Sequence, residues 1–354
     1  MGGALVAASL GPSVIAAPLA GAALDRARRP GLLVAAAGLL TAVAFGVTAF
    51  IGQVPLPVAF ASLAVAGALS PFYMGGLSSF VLGAIPDVRR AFAYDALSYN
   101  VSAVAGPAFV ALVAAFLPAQ MGLFALAAAA ALGSMAVRAV GLRPHARAGG
   151  SPWQAVKAGL HRILAHRPLA VMTAASTLTQ FGQGGLAIAA VALSIDRSGS
   201  PRDGATVVTA FAIGSLLGAL METARPTRSR PHAVMMAGFF ATGLLTVGAA
   251  FDFGTTWTVV AIGLSGFFTA SSTAAMLSLR NRLSPPHLRS QIFTVSAGLR
   301  VSATAAGAAL AGAATESGGG VILGAVGLIW IVSAARLIAY PPSTPDHAQL
   351  PSAR

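Results

Sequence analysis

The 354 residues contain no cysteine, so disulfides, thiolate metal sites and thiol nucleophiles are excluded. Charge is the next scarcity. Only 9% of the residues are Asp, Glu, Lys or Arg, against about 25% in a soluble globular chain. Acids are the rarer sign, with 9 Asp and Glu facing 22 Lys and Arg for a net charge of +13. The few carboxylates are scattered, and the 6 histidines lie in loops or the tail, so no metal site, proton relay or acid–base centre is indicated. The Gly-x4-Gly-Lys-[Ser/Thr] phosphate loop, the His-Glu-x-x-His zinc helix and the Gly-x-Ser-x-Gly nucleophile turn are all missing. The chain reads as a non-enzyme without a cofactor, and ATP does not drive it directly.

What is abundant is apolar surface. Hydrophobic residues make up 56% of the chain and the mean hydropathy is +0.79. A soluble core cannot hold that much, so lipid is the solvent for most of the chain. A span needs about 20 mainly apolar residues. Eleven segments qualify, near 3–24, 31–52, 57–85, 95–117, 119–139, 168–195, 204–224, 232–251, 256–279, 291–314 and 319–340. They are too long for barrel strands and lack a two-residue alternation, which predicts an all-α polytopic membrane protein. Gly214 and Gly218, like Ala303, Gly307 and Ala311, put small residues on one helix face, as close helix packing in lipid requires.

The basic residues alternate between loops. Arg26, Arg28 and Arg29 follow the first span, and Arg89 and Arg90 the third. Arg138, Arg143, Arg147, Lys157, Arg162 and Arg167 surround the segment after the fifth; Arg225, Arg228 and Arg230 follow the seventh, and Arg280, Arg282 and Arg289 the ninth. Short arginine-rich loops between spans argue against nucleic acid and place these loops in the cytoplasm of a cell with a multi-pass inner (plasma) membrane protein. The linker and C-terminus are then cytoplasmic, and Met1, Gln53 and Asp252 lie outside. Residues 141–167 divide the chain into a first bundle at 1–140 and a second at 168–340, with a tail at 341–354. Within the linker, Trp153, Val156, Leu160, Ile163 and Leu164 oppose Lys157, His161, Arg162 and Arg167 at helical spacing, a basic amphipathic helix suited to the inner leaflet.

The two bundles repeat one another. "PDVRRAFAYDALSYNVSAVAGPAFVA" at 86–111 matches "PHLRSQIFTVSAGLRVSATAAGAALA" at 286–311 without a gap, pairing Pro86 with Pro286, Arg89 with Arg289 and Ser102 with Ser302. Gly21-x-x-x-Asp25 matches Gly218-x-x-x-Glu222, which is followed by Arg225. Two homologous halves joined by a linker are a transporter architecture, with the binding site at the midplane between them.

"GAALDRARRP", with Gly21, Asp25, Arg26, Arg28 and Arg29, resembles motif A of the major facilitator superfamily, a Gly-x-x-x-Asp-Arg-x-x-Arg-Arg loop. "NVSAVAGPAFVAL" resembles the Gly-Pro helix of the family's efflux branches at Gly106 and Pro107, although the Gly-Gly that continues that pattern is absent. The resemblance runs from about residue 3 to 340 and implies a two-bundle fold with pseudo-two-fold related halves. It also implies a secondary carrier, an exporter or antiporter of a small organic molecule driven by an ion gradient, with the proton as coupling ion, acting as a monomer. Motif A joins the second and third helices in that family, so the eleven spans correspond to family helices two to twelve, and the chain begins like one whose first helix has been left off. A non-transporting sensor or truncated remnant is the alternative.

An acid at the C-terminal end of its own helix faces the negative end of that helix's dipole, so Asp25 needs an arginine or another helix's N-terminus as partner. It is expected to latch the inward gate; a pure topology signal is the other reading. Inside the spans, Asp95 and Arg300 are the ionisable residues, with Asn100 at the repeat position of Arg300. Arg300 lies ~14 Å into its helix at 1.5 Å per residue and is expected to face the central cavity and meet a substrate carboxylate or phosphate, or an acid from the absent first helix, with capping of backbone carbonyls as the alternative. Tyr73, Thr177, Gln180, Gln183 and Ser272 are candidates either for binding substrate or for interhelical hydrogen bonds.

Overall fold

The computed structural model describes residues 2–144, 152–200, 202–251 and 253–341. Arg147 with the rest of 145–151, Asp252, and the tail from residue 342 onward lie outside the described residues. The chain is helical throughout: α1 (Gly2–Arg26), α2 (Pro30–Ala49), α3 (Leu56–Tyr73), the single turn α4 (Val81–Ala84), α5 (Val88–Phe116), α6 (Ala119–Val140), α7 (Pro152–Ala165), α8 (Arg167–Ser198), α9 (Arg202–Ala224), α10 (Pro231–Ala250), α11 (Thr255–Leu283), α12 (Arg289–Ala313) and α13 (Gly319–Arg336). Eleven of these have 18 residues or more, and each overlaps one of the eleven expected spans. Nine spans among the described residues are long and apolar enough to cross a membrane. In α5, Arg89, Arg90, Asp95 and Asn100 dilute the hydropathy.

Local chemistry sets the ends. Proline opens α2, where its missing N–H costs nothing and its fixed φ suits the first turn. Asp87 caps α5 by accepting from the Arg89 and Arg90 amides at 2.9 and 3.2 Å. Glycines in the left-handed region close α6 at Gly141 and α8 at Gly199. Leu40, Leu217, Leu244 and Leu328 stand exposed on the outer faces, as in a multi-pass membrane protein whose surface meets acyl chains. Hydroxyls in the spans return to their own backbone, as Thr41 does to the Ala37 carbonyl and Ser302 to that of Gly298.

In chain order α1, α2, α3, α5 and α6 precede the linker helix α7, and α8 to α13 follow it. Their repeat pairs α5 with α12 and α1 with α9; α8 has no counterpart among the described helices of the first bundle. Close approach relies on glycine. A Cβ at Gly214 or Gly218 on α9 would overlap the carbonyls of Gly263 and Phe267 on α11, and one at Gly307 on α12 the carbonyl of Phe181 on α8. The halves meet where α1 packs on α12 and where α5 packs on α9 and α11.

Two features depart from the expected outline. The stretch 57–85 is interrupted: after Tyr73 the chain turns through Gly75 at φ +74 and resumes as a short 3-10 turn at Leu77–Phe80 leading into α4. Pro71 sits in the last turn of α3, and the positive φ at Gly75 is one that a side chain would resist. The turn brings Gly75 against α12, where a Cβ would lie 2.9 Å from the Phe293 carbonyl and 3.0 Å from the Ala297 methyl. The amphipathic helix α7 also does more than lie on a surface. Trp153 and Leu164 are exposed, but Val156 is buried against Ala22 and Ile163 joins the core around Leu169 and Leu288. Thus α7 packs beneath α1, α8 and α12 together.

Candidate functional site

Asp25 ends α1 almost fully buried and points across to the other half. Its Oδ1 accepts from the Ser290 amide at 2.9 Å and its Oδ2 from the Gln291 amide at 3.0 Å. These are first-turn N–H groups of α12, the positive end of that helix and the place where an anion is best stabilised. Gly21, one turn earlier, leaves the room this requires, since a Cβ there would overlap the Gln291 backbone. The contact is reinforced by the Ser79 and Ser290 hydroxyls at 3.0 Å and by stacked Phe92 and Phe293 rings 6.3 Å apart. Arg28 and Arg29 are exposed in the following loop, and Arg26 is partly buried beside it.

The second copy of the motif is wired differently. Glu222 is buried, but it accepts from the amide and hydroxyl of Thr227 in its own loop, at 2.8 and 2.7 Å. Helix α5, which would be its partner by the repeat, is capped by its own Asp87. Among the described residues, the hydrogen bonds that cross between the halves on that side are long, from Thr223 to the Ala93 carbonyl and from Arg89 to that of Arg228, both at 3.5 Å. Gly218 serves packing against α11, and Arg225 is exposed.

Between the halves lies a cavity of about 400 Å³, walled by α5, α8, α9, α11, α12, α13 and the turn at Met74–Gly75. Four of the candidate residues, Asn100, Gln180, Gln183 and Arg300, come together on its wall. The Asn100 amide donates to the Ala96 carbonyl at 2.8 Å, and Thr304 donates to Gln180 Oε1 at 3.4 Å. Asp95 is buried just behind the wall, one helical turn from Tyr99, with Oδ2 free of any hydrogen-bond partner. Tyr73 is elsewhere, inside the first bundle, where its hydroxyl meets that of Thr41 at 3.4 Å. Ser272 turns to the Phe268 carbonyl, and Thr177 lies on a lateral groove between α8 and α12. Gly106 has open space around it, and the side chain of Pro107 lies outside the described residues.

Two wall residues were not singled out from the sequence. Arg280 is expected beyond the ninth span, in a cytoplasmic loop, but α11 continues to Leu283 and turns Arg280 inward, with 1% of its surface exposed. Its guanidinium lies over the Phe293 ring at 5.7 Å, while Nε and Nη2 have no hydrogen-bond partner. The signal was available: Thr269, Thr273, Leu277 and Arg280 follow one helical stripe. Tyr99 is the other, its hydroxyl accepting from the Gly75 amide at 3.1 Å and pairing with the Ser78 hydroxyl at 3.0 Å. It therefore ties the broken segment after α3 to α5.

No protein-family profile matches the chain. It is 24% identical over 355 residues to an uncharacterised MFS-type transporter of Sinorhizobium fredii, an alignment covering 97% of this chain and 86% of the relative. Among solved structures it resembles the human organic anion transporter MFSD10 (TM-score 0.75, 15% identity, 95% of this chain and 83% of that one). It also resembles the major facilitator transporter FucP in the outward conformation (0.70, 14%, 97% and 90%) and the proton:xylose symporter XylE (0.71, 11%, 95% and 85%). Two helical bundles, related by an internal repeat and enclosing a cavity, give this chain the fold of the major facilitator superfamily transporters.

Proposed function

We propose that the chain is a secondary transporter that carries a small organic molecule across the membrane by alternating access. The observation that carries this is the cavity between two repeat-related halves, together with Asp25 of one half held on the α12 N-terminus of the other. A carboxylate held by two amides of the opposite half can be released as a unit when the halves rock, which is what a gate requires. The arginine-rich end is assigned to the cytoplasm by the positive-inside rule, which puts α7 and the linker there and the protein in the inner (plasma) membrane. Export is the direction we infer, from the resemblance of the Gly106–Pro107 segment to efflux carriers. Asp95 is the residue we assign to ion coupling, with the proton as the ion. It is a buried acid one turn from Tyr99, with one oxygen still unpartnered, where loading and loss of a proton change the charge behind the cavity wall. Asn100, Gln180, Gln183 and Arg300 are assigned to the substrate, and the functional unit is a monomer.

The absence of cysteine makes the test clean. A single cysteine at Ala297, on the cavity wall, should react with an impermeant thiol reagent in both right-side-out and inside-out vesicles, because a carrier exposes its site to each side in turn. Reaction confined to one face under every imposed gradient would contradict transport and support a sensor.

A further inference from the structure

We propose that the substrate is a small organic anion whose carboxylate or phosphate is held between Arg280 and Arg300; this rests on the transporter reading above. The two side chains come from neighbouring helices, α11 and α12, and both line the cavity. The positive charge of Arg300 reaches Arg280. Guanidinium stays protonated in proteins, so both positive charges persist. Among the described residues that line the cavity, none carries a carboxylate. Asp95 stands behind the wall on the other half, and its Oδ2 accepts from neither arginine. Phe293 gives Arg280 a ring face at 5.7 Å, which attracts a cation without cancelling its charge.

Two like charges side by side within the membrane, Arg280 buried and Arg300 half-buried, are a costly arrangement without a counter-ion. They are retained where a ligand supplies the missing charge. The donors left open point the same way: Nε and Nη2 of Arg280 and Nε of Arg300 have no partner, and a guanidinium edge matches the paired oxygens of a carboxylate or phosphate. The rest of the wall fits the body of such a molecule. Gln183 and Asn100 offer amides to hydroxyl or carbonyl groups, while Phe211 and Trp330 offer apolar faces. A volume near 400 Å³ is that of a small-metabolite site rather than a lipid groove.

Trp330 in the wall provides a direct readout. In the purified full chain with Trp153→Phe and Trp257→Phe, its fluorescence is titrated with four probes that share a phenyl ring: benzoate, phenyl phosphate, benzyl alcohol and benzyltrimethylammonium. We expect saturable quenching by benzoate or phenyl phosphate at least tenfold tighter than by benzyl alcohol, and none by the cation. The tighter anion tells carboxylate from phosphate. Arg280→Gln and Arg300→Gln should each weaken that anion by at least tenfold, and the Lys variants by less, with all four eluting as monodisperse protein of unchanged helicity. Equal binding of anion and alcohol, or anion binding indifferent to both Gln variants, would overturn the proposal. If the Lys variants alone fold, their anion-to-alcohol ratio decides it: a reduced ratio supports the site and an unchanged one refutes it. Anion binding that depends on the arginines, without flux of the same anion into proteoliposomes, would leave the site standing and remove the transport reading. Flux of alcohol or cation unimpaired by Arg280→Gln would do the reverse.

Discussion

Asp25 and Glu222 occupy equivalent places in the two halves and bind in opposite directions: Asp25 reaches across to the amides of Ser290 and Gln291, and Glu222 folds back onto Thr227. One acid of the pseudo-symmetric pair therefore bonds across the halves, and the other bonds within its own loop. The difference lies in α5, which brings its own Asp87 as a cap and leaves Glu222 nothing to satisfy. It predicts that Asp25→Ala and Glu222→Ala part company. Each charge-assisted bond is worth about 1.5–3 kcal/mol, so Asp25→Ala should raise the labelling rate of a cysteine at Ala297 from the arginine-rich side severalfold. Glu222→Ala should leave that rate within twofold of the parent. Equal effects would mean that the two acids do the same work.

Glycine substitutions separate the crowded position from the open one. Gly21→Val drives a side chain into the Gln291 backbone and should force α1 from α12, lowering the melting temperature in detergent by several degrees or leaving the gate open to labelling. Gly106→Ala meets nothing within 4 Å and gains helix propensity of up to about 1 kcal/mol. Its melting temperature should hold or rise.

Tyr99→Phe leaves the Gly75 amide without its acceptor and removes the partner of Ser78. An unsatisfied buried amide costs about 1–3 kcal/mol, so the turn at Met74–Gly75 should loosen and anion affinity should fall between three- and a hundredfold. Tyr73→Phe loses only a 3.4 Å contact with Thr41, a pair outside the cavity lining, and should change affinity by less than twofold. Trp330 quenching distinguishes the two variants.

The linker helix supplies a fourth expectation. Val156 is buried against Ala22, and Gly159 lies against the Gln291 side chain, so α7 braces the lock from below. Val156→Asp should undock it, increasing protease cleavage in the linker and labelling at Ala297 together. Cleavage that rises alone would make α7 a tether only.

Much of this was legible in the sequence. Hydropathy located the long helices, because lipid demands about 20 apolar residues per crossing and tolerates few exceptions. The repeat located both acids. What the residues could not disclose was the partner of each acid, since Asp25 and Glu222 look alike until Asp87 is seen capping α5. Arg280 was overlooked for a related reason: an arginine near a span's end reads as a topology signal, although its stripe with Thr269, Thr273 and Leu277 puts it on the cavity face once α11 runs to Leu283. The break after Tyr73 depends on Gly75 fitting against α12 of the other half, a tertiary contact that local patterning does not encode.

The gate itself is open to one direct measurement. Spin labels at Arg28→Cys and His287→Cys, both exposed and on opposite halves at the arginine-rich end, report the distance across the lock by pulsed electron paramagnetic resonance. The account predicts a short-distance population in the parent and a shift toward a second, longer one when Asp25 is replaced by Ala. Distance distributions that coincide in the two proteins would contradict it.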